Sequence, residues 1–163
     1  MPSYVLDALD LKILRELQAD GGLSNIDLAA RVGLSPSPCL RRVRALENAG
    51  VIRGRVVLVD PASVGLAVNV FVRVTLERQI EENLAAFERA IENRPEVVEC
   101  YLMTGESDYL LRIVVSDLAA YERFLKETLT RIAGVSNIQS SFALGQVKYS
   151  TALPLGQAAT ARG

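Results

Sequence analysis

Ser35–Gly50, SPSPCLRRVRALENAG, is the stretch from which the fold can be read. Both ends of a helix are marked in it. The Ser35 hydroxyl suits an N-cap, where it accepts from a free first-turn amide. Pro36 follows at the first helical position, where a missing N–H costs nothing. Gly50 suits the left-handed residue that closes a helix. Leu40, Val43 and Leu46 recur at helical spacing and predict a buried stripe. Ser37, Arg41, Arg44 and Asn48 fall on the opposite face, with Pro38 and Arg42 beside them. One face packs on a core, and the other offers small polar groups and guanidiniums from its first two turns. A helix whose N-terminal half enters a DNA major groove has this division.

Three arginines on one amphipathic helix also describe an ordinary solvated face. The residues before it favour the DNA reading. Ser24 opens a shorter helix, NIDLAARV, with Asp27 three residues on as a capping partner. Leu28, Ala29 and Val32 form its inner face, and Gly33-Leu34-Ser35 turns straight into the arginine helix. Short helix, tight glycine turn and capped second helix make a helix-turn-helix pattern. Ser24, Asn25, Ser35, Ser37, Pro38, Arg41, Arg42 and Arg44 are the candidate DNA contacts, with Arg41 and Arg42 as the main groove-side cations.

Upstream, Asp7 caps a first helix reaching about Ala19, with Leu9, Ile13, Leu14 and Leu17 inward, and Asp20-Gly21-Gly22 ends it. Downstream, Val51–Arg53 and Arg55–Val59 flank Gly54 and predict a small hairpin wing. Its Arg53 and Arg55 are candidates for the DNA backbone, where contacts position a protein without reading sequence.

The 163-residue chain carries a net charge of −1, so attraction to nucleic acid must come from local clustering. Ser35–Arg55 supplies it, with Arg41, Arg42, Arg44, Arg53 and Arg55 against Glu47 alone, while the chain beyond Asp60 is acidic. Half the residues are apolar, enough for a real core. No signal peptide or membrane-length apolar run is present, so a cytoplasmic location is the expectation. Histidine is absent, and Cys39 and Cys100 stand far apart. No metal site, cofactor or catalytic constellation is expected, and the chain is not expected to be an enzyme.

Asp60-Pro61-Ala62-Ser63 is the best boundary. The expected organisation is a DNA-binding domain at 1–60, a linker at 61–65, a second domain at 66–150 and a flexible tail at 151–163. From Leu66 to Leu76 the chain alternates, with Leu66, Val68, Val70, Val72, Val74 and Leu76 on one face. A helix at about 82–93, strands at 97–104 and 109–115, a helix at about 118–132 and a strand region at 138–149 complete the order βαββαβ. The segments LAAFERAI and LAAYERFL, beginning at Leu84 and Leu118, echo one another in the two halves. The second helix is expected to be about one turn longer. Right-handed crossovers then give a four-stranded antiparallel sheet with both helices on one face. The other face carries Phe71, Tyr101, Met103, Leu110 and Val114 among Asn69, Arg73 and Arg112, a mixed surface suited to a second copy of the sheet.

These residues resemble the Lrp/AsnC, or feast/famine, family of bacterial transcription regulators. The resemblance rests on VGLSPSPCLRRVRALENAGVI, on LDALDLKILRELQADG before it and on GESDYLL later, and covers about Leu6–Ser150. It is nearest to the leucine-responsive branch. The fold class it implies is α+β: an N-terminal winged helix-turn-helix joined to a C-terminal ferredoxin-like βαββαβ domain. It implies a regulator that binds double-stranded DNA, is modulated by a small amino acid, and forms homodimers that assemble to octamers or other sets of dimers. Carried over by position, the family's acidic G-D-x-D turn falls on Gly105, Glu106, Ser107 and Asp108, with Glu106 in place of the usual aspartate. The implied effector contacts are Met103, Thr104, Gly105, Glu106 and Asp108. By itself the turn reads two ways. Gly105 can expose amides to a carboxylate while Glu106 or Asp108 holds an ammonium, or the acids can simply be solvated. Two further function classes fit the residues: an architectural DNA-binding protein without ligand, and an amino-acid-sensing subunit of a metabolic enzyme.

Overall fold

The structure, a computed structural model, describes residues 4–156. The chain forms two compact units. One holds residues up to Leu58 together with those from Lys148 onward, and the other holds Val59–Val147.

The first unit contains α1 (Ala8–Ala19), α2 (Asn25–Val32) and α3 (Pro36–Asn48). Asp7 and Asp10 form a reciprocal capping box at the start of α1: Asp10 N donates to Asp7 Oδ1 at 2.8 Å, and Asp7 N donates to Asp10 Oδ2 at 3.2 Å. Ser24 caps α2, accepting from Asp27 N at 3.1 Å. Gly33 ends α2 at φ +78°, a left-handed position that favours glycine. At α3 the expected Ser35 hydroxyl cap does not form. Ser35 supplies its carbonyl instead, accepting from Cys39 N at 3.2 Å. Leu11, Ile13, Leu14, Leu28, Ala29, Val32, Cys39, Val43 and Leu46 make the core of this unit.

The α3 stripe differs from expectation by one position. Cys39, not Leu40, is buried with Val43 and Leu46, and Leu40 is exposed. Each residue advances about 100° around a helix. Positions 39, 43 and 46 therefore share one direction, and 40 turns toward Ser37 and Arg44. The wing also differs. Residues 51–59 join no strand ladder: 51–52 are a bend and 53–59 have no regular structure. Val56 and Val57 are 82% and 88% exposed. Their β propensity needs a partner strand, and no described residue of this chain supplies one.

The end of the chain is a further difference. The tail expected to be flexible from 151 is packed in its first part: Leu155 lies against the helical core. The remainder, 157–163, falls outside the described residues.

The second unit contains β1 (Val68–Leu76), α4 (Glu81–Glu92), β2 (Val97–Leu102), β3 (Tyr109–Val115), α5 (Leu118–Glu127) and β4 (Val135–Phe142). All strand pairs are antiparallel, in the order β2-β3-β1-β4. Val70, Val72, Val74 and Leu76 alternate inward from β1, Leu111 and Ile113 from β3, and Phe87, Ile91, Tyr121 and Phe124 from the helices. Leu66 precedes the strand, in the exposed chain that leaves a 3-10 turn at Ala62–Val64. α5 is shorter than expected. It stops at Glu127, and a 3-10 turn at Leu129–Arg131 carries the chain on. β4 begins and ends earlier than expected.

On the face away from the helices, Phe71, Tyr101 and Met103 are 38%, 53% and 42% exposed. Val114, expected beside them, is buried where the turn after α4 bonds its strand, Val114 N donating to Glu96 O at 2.9 Å. Arg112 crosses this face, donating to Glu99 Oε1 at 2.8 Å and to Asn69 Oδ1 at 3.2 Å.

Candidate nucleic-acid interface and effector turn

The outward face of α3 follows from its buried one. With Cys39, Val43 and Leu46 inward, Ser37, Leu40, Arg41, Arg44, Ala45 and Asn48 line a shallow groove along the helix. A second concavity, about 520 Å³, lies between α2, α3 and the 52–55 loop. Asn25, Leu40, Arg44, Arg53 and Arg55 are among its lining. Leu40 and Arg44 belong to both. Arg41 and Arg44 of the reading helix and Arg53 and Arg55 of the wing therefore share one surface, although the wing has no β-ladder. Arg55 Nη2 stands 3.9 Å from Glu47 Oε1, both half-exposed, a loose pair that leaves the guanidinium accessible.

Other candidates are engaged inside the fold. Arg42 does not share the outward face with Arg41. Its Nη1 donates to Asp7 Oδ2 and to Asp10 Oδ1, both at 2.8 Å. Asp10 is 2% exposed and also accepts from Tyr4 OH at 3.3 Å. The pairing ties α3 to the start of α1. It raises the Arg42 pKa through its bonds to Asp7 and then Asp10. It also helps lower that of Asp7, whose largest cause is the bond from Asp10 N. The cation beside Arg41 on the outward face is thus Arg44. Ser24 exchanges two hydrogen bonds with Asp27. Asn25 Nδ2 donates to Pro36 O at 2.8 Å, pinning the first turn of α3 to the first turn of α2. Its Oδ1 is enclosed without a partner among the described residues.

The turn from Met103 to Asp108 joins edge strand β2 to inner strand β3. Met103, Thr104, Gly105 and Glu106 are exposed, with Gly105 at φ +114°. A residue with a Cβ is strained there. Met103 N donates to Asp108 O at 2.8 Å, closing the turn. Asp108 is 3% exposed and does not face solvent. Its Oδ2 accepts from Leu76 N at 2.6 Å, and its Oδ1 accepts from Gln79 Nε2. Its backbone N donates to Val74 O at 2.9 Å. Asp108 latches the turn to the end of β1 and has no oxygen left unpaired for an ammonium. Glu106 remains the free carboxylate of the turn. Gln79, absent from the sequence expectation, holds this latch. It lies 29 residues before Asp108, so local spacing gives no sign of it.

A helix-turn-helix with an exposed basic helix face, followed by a sheet domain bearing its own accessible turn, is the organisation of a ligand-responsive transcription regulator. Residues 6–53 match the winged helix-turn-helix DNA-binding family, and residues 69–153 match the Lrp/AsnC ligand-binding domain. The chain is 52% identical over 150 residues to the Bkd operon transcriptional regulator of Pseudomonas aeruginosa, covering 92% of this chain and 98% of that one. It is 43% identical over 152 residues to the leucine-responsive regulatory protein of Escherichia coli, covering 93% of each. A transcriptional regulator from Neisseria meningitidis, solved as a complex with L-methionine, superposes with a TM-score of 0.86 at 44% identity, over 91% of this chain and 96% of that one. An AsnC-family regulator from Agrobacterium tumefaciens gives 0.86 at 48% identity, over 91% and 97%. The chain belongs to the Lrp/AsnC family of transcription regulators. Among the described residues no helix is long and apolar enough to cross a membrane, and no cluster of acidic, cysteine or histidine side chains could hold a metal ion.

Proposed function

We propose that the protein reads operator DNA with the outward face of α3 and changes its affinity or assembly when an amino acid binds at the Met103–Glu106 turn. The observation that carries the DNA assignment is the continuity of two concavities through Arg44. In this reading Ser37, Leu40, Arg41 and Arg44 meet base edges. The Leu40 side chain suits a thymine methyl, and either guanidinium suits guanine. Arg53 and Arg55 meet phosphate, and Asn25 and Arg42 hold α3 in place. Two copies pair through the exposed sheet face, Phe71, Tyr101 and Met103 meeting their counterparts, so that two reading helices address a pseudo-palindromic site. Such dimers assemble further, and the protein works in the cytoplasm.

An amino-acid effector is supported by the Lrp/AsnC ligand-binding match and by the relative solved with L-methionine. In the turn, the amides around Gly105 are suited to the carboxylate and Glu106 to the ammonium.

Two experiments test this. Operator binding of Arg41→Ala and Arg44→Ala is measured at two salt concentrations. Loss of a guanine contact costs on the order of 1–3 kcal/mol and relaxes one operator position, whereas loss of a phosphate contact lowers the salt slope by about one. Unchanged affinity in both variants overturns the reading helix. Thermal shift against the twenty common amino acids identifies the effector, because a ligand of the folded state raises the melting temperature. Glu106→Gln must then weaken that shift, and an unaltered shift moves the effector site elsewhere.

A further inference from the structure

The C-terminal residues 151–156 are tied to the helical unit by more than proximity. Gln18 on α1 pairs with Leu153 as a second strand would: Leu153 N donates to Gln18 Oε1 at 2.6 Å, and Gln18 Nε2 donates to Leu153 O at 3.1 Å. Arg15, one turn earlier on α1, donates to two successive carbonyls, Leu155 O at 3.3 Å and Gly156 O at 3.0 Å. Between these anchors the backbone bends tightly about Pro154, with Leu155 N donating to Leu153 O at 2.9 Å. The bend sets Leu155 against the helical core. One amide and three carbonyls of the segment, which water would otherwise satisfy, are here met by two side chains of α1.

The segment forms one wall of a cleft of about 370 Å³. Leu14 and Leu17 of α1 and Ile52, Arg53, Gly54 and Arg55 line the same cleft. The loop carrying both wing arginines therefore borders the cleft together with the C-terminal segment. That loop has no β-ladder to stiffen it. Its start is tied to α3, Val51 N and Ile52 N donating to Leu46 O at 3.0 and 3.2 Å, and beyond Ile52 its position comes from what packs around it.

We propose that residues 151–156 are an intramolecular strap that braces the 51–55 loop and so sets Arg53 and Arg55 against DNA phosphate, an inference that rests on the DNA-binding reading above. Leu155, Gln18 and Arg15 are then positioning residues, acting on DNA only through the two arginines. The strap is the continuation of the chain beyond β4. The helical unit is thus joined to the sheet unit by two lengths of chain, one after Leu58 and one before Lys148.

The test compares the full chain with Leu155→Ala, with Gln18→Ala and with a chain ending at Ser150. Each is confirmed as folded by its melting transition, and Gln18→Ala, at a half-buried helix position outside the core, serves if the other two fail to fold. Operator affinity is measured across a series of salt concentrations. Loosening the strap is expected to weaken binding up to about tenfold and to lower the salt slope by up to two, one for each released phosphate contact. In an Arg53→Ala/Arg55→Ala background the same strap variants are expected to cost nothing further, because the groups they act through are gone. A synthetic peptide of residues 148–163 is expected to restore affinity and slope to the chain ending at Ser150. An unchanged slope overturns the proposal, as does an additional loss of equal size in the arginine-free background. Failure of the full chain to bind any operator removes the DNA reading itself, a separable result.

Discussion

The two units are held together differently. The sheet unit has thirteen buried apolar residues in its core, from the two inner strands, the two helices and the 3-10 turn after α5. The helical unit has nine, and it supplements them with polar ties between elements: Arg42 to Asp7 and Asp10, Asn25 to the Pro36 carbonyl, Gln18 and Arg15 to the chain end. A small core leaves each helix only a narrow buried stripe, so side chains bordering that stripe set its angle. In the sheet unit the ladders already fix the angles, so its polar ties, Asp108 at a turn and the Tyr109–Glu88 and Tyr121–Ser140 bonds between sheet and helices, add to an orientation that is set without them. Polar substitutions should therefore act on orientation in the first unit and on local order in the second.

The largest expected effect falls on the apolar side of that contrast. Phe87 is fully buried and stacks on Tyr109 with ring centroids 4.4 Å apart. Phe87→Ala should cost about 3–5 kcal/mol, read as a lowered sheet-unit transition in denaturant melts. If the helical transition falls equally, the units do not unfold independently and the contrast breaks. Next comes Asp108→Ala, which leaves the Leu76 amide buried without its acceptor. A loss of about 2–3 kcal/mol is expected, with slowed hydrogen exchange at Leu76 lost first. Full protection of that amide in the variant would show that the latch does not hold the turn.

Asp10→Ala sharpens the comparison from the other side. It removes half the capping box and one acceptor of Arg42, at about 1.5–3 kcal/mol. Operator affinity should fall with it although Asp10 is buried. Affinity unchanged at a temperature where the variant is folded would show that the Asp10 tie does not aim α3. Ser24→Ala removes a single cap and should cost about 1 kcal/mol, seen as a lower helical-unit melting temperature with little change in operator affinity. The smallest effect is with acid. The folded-state pKa of Asp7 is lowered, first by the Asp10 amide and also by Arg42. Its ionised form therefore adds stability above the ordinary carboxylate range, near pH 4. That contribution is lost as the pH falls through the lower folded value. Melting between pH 5 and pH 2.5 should show the helical transition dropping, and Asp7→Asn should flatten the drop. A variant as acid-sensitive as the parent would place the titration elsewhere.

The features legible in the sequence were those fixed within one or two turns of chain. Asp7, Ser24, Gly33 and Pro36 mark helix ends by local hydrogen bonding and backbone preference, and the alternation from Val68 to Leu76 reports one buried sheet face. What escaped were pairings across sequence. Nothing near Arg42 announces Asp7 or Asp10, more than thirty residues earlier. Asp108 reads as an accessible turn acid, an ammonium partner or a solvated group, until the Leu76 amide is brought against it. The Val56–Val59 run has the composition of a strand, but composition cannot supply a neighbour. The chain end, short and rich in small residues, gave no sign that Gln18 would capture it. In the candidate interface, Leu40 was misplaced by one position because Leu outranks Cys as an expected core residue, although free cysteine is among the most buried types.

The separation of duties around α3 has an evolutionary consequence. Its anchoring positions, Cys39, Arg42, Val43 and Leu46, and its outward positions, Ser37, Leu40, Arg41, Arg44 and Asn48, do not overlap. Under the proposed DNA reading, duplicated copies of such a gene can diverge at the outward set while retaining the anchors that hold the helix. The helix is in this sense a replaceable cartridge on an unchanged mount.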